Sequence, residues 1–159
     1  VELMIHHRTS SKLLASKGPM IFGVLSGPGS SALELAVEVI DAQLERYPAV
    51  SFLLVVEHGS PTPTPEERRR MQASLATYGD RLVVGYALCG LGFWANAVRS
   101  IMVAVSRLAG TEIIAYGSVE ATAKHIAREL VGVDADEMTA TCEQLRAQLR
   151  EEASSAAAM

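Results

Sequence analysis

Aromatic side chains are scarce in this chain: they make up 5% of its 159 residues, with a single tryptophan, Trp94. The chain is long enough to bury the core of one domain, so that core must be filled by Val, Leu, Ile, Ala and Met. Cysteine is also rare. Cys89 and Cys142 lie far apart, in apolar surroundings and without CxxC spacing. That argues against a disulfide framework and for buried free thiols in a reducing compartment, with the cytoplasm as the expected location. Basic charge falls short of acidic: 14 Lys and Arg against 18 Asp and Glu give a formal charge of -4. No basic stripe runs along any expected helix, which excludes nucleic acid as an expected partner. Between Arg81 and Arg99 no charge occurs, but Gly85, Gly90, Gly92 and Asn96 divide that interval into strand, turn and helix start, so no membrane span is expected. Metal-ligand spacing and Walker sequences are absent, and no cofactor is expected.

What is present is a rhythm. Apolar runs at 20–26, 51–57, 82–88 and 111–116 are each followed by a turn and an amphipathic helix. Runs that short and continuous read as strands buried on both faces, and their alternation with helices predicts a largely parallel sheet. A weaker extended segment at 10–16 precedes the turn signal Lys17-Gly18-Pro19, which predicts a hairpin with 20–26. The expected fold is therefore α/β, with a mixed, mostly parallel sheet of about five strands, flanking helices and an extra C-terminal helix. The domain spans 10–132, preceded by an extension at 1–9 and followed by a helix at 133–150 and a frayed tail at 151–159.

Helix starts carry recognisable chemistry. Ser31 with Glu34, and Thr64 with Glu67, form capping boxes; Pro65 fits the first helical position, and Ser118 and Asp134 open two later helices. The first helix is expected to bury Leu33, Val37, Ile40 and Leu44, and the third Trp94, Val98, Ile101 and Val105. In the C-terminal helix Met138, Cys142, Leu145 and Leu149 keep register, so this stripe packs either on the domain or against a second copy as a homodimer contact.

Two glycine loops lie where α/β proteins bind phosphates: Gly27, Gly29 and Ser30 before the first helix, and Gly90 and Gly92 before the third. Each is read either as an anion cradle or as a tight packing turn. Of the histidines, only His58 beside Glu57 falls in a strand-end loop of the kind that builds sites in open sheets; His6, His7 and His125 do not. Cys89 also ends a strand near a helix start.

The order of elements, together with the stretches FLLVVEHG, LVVGYALCGLG and AVRSIMVAVSRLAGTEIIAYGSVEATAKHI, resembles STAS domains, in particular divergent free-standing SpoIIAA-like members. The resemblance covers about residues 10–131 and includes Gly110 followed by a short strand and Ser118-Val119-Glu120-Ala121. It implies a regulatory, non-enzymatic domain like the anti-sigma factor antagonists, meeting a protein partner through the loop and helix at 58–70. His58, Arg68, Arg69 and Arg70 are the contact residues so implied. The family's phosphorylated loop corresponds to 57–65; its Asp-Ser-Ser-Gly pattern is absent here, and Ser60, Thr62 and Thr64 are the hydroxyls that remain as phospho-acceptor candidates. The alternative is a small-molecule or anion binder, enzymatic or not, built from the glycine loops and the Glu57/His58 corner.

Overall fold

The computed structural model describes residues 1–26, 33–90, 92–110 and 113–158. Six strands form one mixed sheet whose spatial order is their order in the chain. β1 (Met4–Arg8) runs antiparallel to β2 (Lys12–Lys17), which turns at Gly18 into antiparallel β3 (Met20–Leu25). Gly18 has φ of +59°, a left-handed conformation that favours glycine. From β3 onward the neighbours are parallel: β4 (Val50–Glu57), β5 (Leu82–Cys89) and β6 (Ile113–Tyr116).

The helices α1 (Leu33–Arg46), α2 (Pro65–Ala76) and α3 (Phe93–Ala109) connect the parallel strands, and α4 (Val119–Glu129) and α5 (Ala135–Ala158) follow β6. Because β3 to β6 advance in one direction with crossovers of one hand, the three connecting helices fall on the same face. The strand period of two divides the core accordingly. Phe52, Val56, Val84, Tyr86 and Leu88 face α1 to α3 with Ile40, Leu75, Val98, Met102 and Val105. Phe22, Leu53, Val55 and Ala87 face α4 and α5 with Ala123, Ile126, Met138, Cys142 and Leu145. The result is a three-layer α/β/α sandwich.

Helix caps form as the sequence predicts. Thr64 Oγ1 accepts from the Glu67 amide at 3.2 Å, Ser118 Oγ from the Ala121 amide at 3.2 Å, and an Asp134 carboxylate oxygen from the Glu137 amide at 2.8 Å. The Ser31 half of the first capping box lies outside the described residues.

Several boundaries differ from expectation. The segment at 1–9 is not a mere extension: it contains β1, an edge strand whose mostly exposed side chains leave no apolar pattern to read. No frayed tail begins at 151, since α5 continues to Ala158; its last turns are mostly exposed, and alanine-rich sequence sustains a helix without apolar periodicity. The buried face of α1 is centred on Ala36, Val39, Ile40 and Gln43, with Val37 only half-buried, because Gln43 Nε2 donates to the Gly18 carbonyl beneath it. On α3 the stripe is rotated by one residue, so Met102 is buried at 1% exposure while Ile101 is only partly covered.

The stripe of α5 is fully committed within its own chain: Met138, Cys142 and Leu145 are 0% exposed and Leu149 2%. A homodimer through that stripe has no free apolar face to use. Arg146, beside it, clamps α5 to the end of β4, with its Nε 2.7 Å and Nη2 3.1 Å from the two carboxylate oxygens of Glu57.

α4 approaches the sheet closely at Gly85, where a Cβ would come within 2.6 Å of Thr122 Cγ2 and 2.9 Å of Ile126 Cδ1. Gly85→Ala is expected to destabilise the fold by about 1–3 kcal/mol through overpacking, read as a lower urea midpoint with unchanged slope. An unchanged midpoint would show that α4 yields at no cost.

Candidate functional site

The C-terminal end of β4 and the loop after it carry most of the residues singled out from the sequence. Gly59, with φ of +83°, turns the chain back so that the Ser60 amide donates to the Glu57 carbonyl at 3.2 Å. Ser60 is 3% exposed; its hydroxyl donates to the same carbonyl at 2.8 Å, and its own carbonyl accepts from Trp94 Nε1 at 2.9 Å. Alternating prolines then lead residues 61–64, without helix or strand, to Thr64, which caps α2. The loop is thus pinned from below by Ser60 and from the side by Trp94.

This geometry sorts the candidates. Ser60 is buried and internally bonded, so its hydroxyl is no accessible phospho-acceptor; Thr62 and Thr64 are exposed, and Thr64 serves as a helix cap. Arg69 and Arg70 are exposed and Arg68 half-buried, but Arg70 lies 3.3 Å from Glu34 of α1, so its charge is shared within the chain. Gly90 is a packing position: a Cβ there would lie 2.5 Å from the Trp94 ring and 2.6 Å from His58 Nδ1. Gly92, with φ of +75°, caps the start of α3, and among the described residues, its chain neighbours aside, nothing would lie within 4 Å of a Cβ there. Gly27, Gly29 and Ser30 fall outside the described residues.

Glu57 and His58 are not brought together as an acid–base pair. Glu57 is held by Arg146 of α5, whereas His58 meets the edge of Trp94 on α3 with ring centroids 5.2 Å apart. The remaining histidines are separate: His6 Nε2 lies 2.7 Å from Ser16 Oγ, His125 Nδ1 lies 2.8 Å from the Tyr116 hydroxyl, and half-buried His7 lines the wall of the cavity described below. Burial pushes the Cys89 thiol up, with Arg146 opposing in part, and pushes Cys142 up to about 12, so neither is an activated nucleophile. Among the described residues no group of three or more His, Cys, Asp or Glu is placed to hold a metal ion, and no helix is long and apolar enough to cross a membrane.

Beneath the 60–63 loop lies a feature the residue-by-residue reading missed. A cavity of 190 Å³ opens between the sheet and α1 to α3, and its wall reaches the surface at Pro61 and Thr62. Gly23 lies in its wall, where the strand packs tightly: a Cβ there would come within 2.6 Å of Leu54 Cδ1 and 3.3 Å of the Phe52 ring. Small Ala36 on α1 keeps the opposite wall thin. The wall is mostly aliphatic, from Leu54, Val56, Val84, Val98 and Met102.

One polar residue, Tyr86 at 6% exposure, belongs to the buried part of this wall. Burial raises its pKa, so it remains a neutral hydroxyl. The isolated Gly23 inside an apolar strand signals the close approach of Leu54 and Phe52, not the space beside them. No protein-family model matches the chain, and no curated protein matches it.

Proposed function

We propose that this chain is a binding domain whose ligand is a small, mainly apolar molecule held beneath the β4–α2 loop. The observation that carries this reading is the 190 Å³ cavity with its mostly aliphatic wall. Its size bounds the occupant. It is smaller than the about 300–1,000 Å³ of sites for drug-sized ligands and larger than the about 150 Å³ apolar cavity that takes up benzene. A single ring with a short substituent fits that interval.

The STAS resemblance supports a second, compatible reading, in which the domain is regulatory and meets a protein partner at 58–70. What favours it is that Pro61 and Thr62 belong to the cavity wall and are also exposed, as is Arg69 on the helix that follows. One loop would then sense the ligand and present the surface. Two free thiols fit a reducing compartment such as the cytoplasm.

The test is titration of the protein with benzene, followed by methyl carbon–proton spectra. Shifts are expected at Leu54, Val84, Val98 and Met102 and not at Leu145 on the opposite face. Absence of any shift up to the solubility limit of benzene would overturn the reading.

A further inference from the structure

Resting on that reading, we propose that the β4–α2 loop is the gate of the cavity and that Trp94 is the residue that positions it, so that a ligand enters and leaves when the Ser60 carbonyl lets go of the Trp94 indole N–H. The cavity wall meets solvent at this loop. Pro61 and Thr62 are its exposed members, and the other lining residues are half-buried or buried. Displacing the 60–63 segment therefore uncovers the space beneath it.

That segment has few anchors. Pro61 and Pro63 carry no amide N–H, so they cannot donate a backbone hydrogen bond. At the far end Thr64 is fixed to α2 through the Glu67 amide at 3.2 Å. At the near end Ser60 bonds through its amide and its hydroxyl to the Glu57 carbonyl in the same turn, with a longer contact of 3.4 Å from the hydroxyl to the Leu25 carbonyl. The Ser60 carbonyl accepts from Trp94 Nε1 at 2.9 Å, and this bond ties the loop to α3. Fixed φ angles make the proline-spaced span stiff, so releasing one end moves it as a unit.

Trp94 is the fixed point of that bond. Its ring lies against Gly90, where a Cβ would come within 2.5 Å of it, and it packs on the core layer beneath α1 to α3. Trp94 does not line the cavity, whereas Ser60 does. Loss of the indole donor therefore acts on the loop and leaves the wall unchanged. Because the bond holds the closed loop with or without a ligand, its loss raises the open fraction of both forms by the same factor. Entry and exit then accelerate together and cancel in the affinity.

The probe is benzene, whose rates of binding and release are measured by methyl exchange spectroscopy at Val84 and Met102. Two changes remove the donor: Trp94→Phe, and replacement of the chain's single tryptophan by benzothienylalanine, in which sulfur takes the place of the N–H and the ring keeps its shape. In both proteins entry and exit are expected to accelerate by about two- to tenfold, the size of one net hydrogen bond, with the dissociation constant unchanged. Unchanged rates in the benzothienylalanine protein would overturn the gate. So would a faster release matched by a weaker affinity, because Trp94 would then support the bound form without controlling access. In either case the cavity reading stands. If benzene does not bind the wild type, that reading falls and this one with it.

Discussion

Leu145→Ala is expected to destabilise the protein by about 2–5 kcal/mol, the range for deleting a large aliphatic side chain from a close-packed core. Leu145 is 0% exposed and sits between Cys142 and Leu149 on the face of α5 that covers the sheet. It is flanked by Arg146, which ties the helix to Glu57 at the end of β4, so α5 has little freedom to settle into the vacancy. Incomplete collapse is what places a site toward the upper end of that range. Leu35→Ala, on an exposed part of α1 at 36% exposure, is the control and is expected to change stability by no more than about 0.5 kcal/mol. The measurement is a urea midpoint at two protein concentrations. A loss independent of concentration fits a stripe packed within one chain; a concentration-dependent midpoint would place that stripe at a contact between copies.

The parallel strands were legible because burial on both faces forces continuous apolar runs, and the sequence around 51–57 and 82–88 admits little else. Caps were legible because Thr64, Ser118 and Asp134 act on amides only a few residues away. What escaped depended on partners distant in sequence. β1 is a strand through its pairing with β2, including a register shift between Ile5 and His7, and its own residues carry no pattern. The face of α1 turns on Gln43 reaching the Gly18 carbonyl, which periodicity cannot show. Ser60 reads as an exposed loop hydroxyl until the turn at Gly59 folds it inward. Gly90 reads as either a phosphate cradle or a packing turn, and the Trp94 and His58 rings close against it show that it packs. The cavity is the extreme case, because its wall is assembled from several elements and becomes visible only when α1 to α3 are laid over β3 to β5.

Because the cavity is an unfilled part of the apolar layer, binding and stability are expected to respond to it in opposite directions. Ala36→Leu places an isobutyl group in the cavity from the α1 side, where Ala36 lines the wall at 9% exposure. Probe binding is expected to be lost, with no benzene-dependent shift at Val84 or Met102. Stability is expected to rise by about 0.5–2 kcal/mol, as cavity-filling substitutions commonly give. For a chain of this length that corresponds to a melting temperature higher by roughly 2–4 °C per kcal/mol. The opposition is what identifies the site. A residue packed in an ordinary core resists enlargement and costs stability, whereas a wall that keeps space for a guest gains contacts when the protein supplies the guest itself. Ala36→Leu with intact benzene binding and a lowered melting temperature would mean that α1 is tightly packed at this point and that the space under the 60–63 loop is no ligand site.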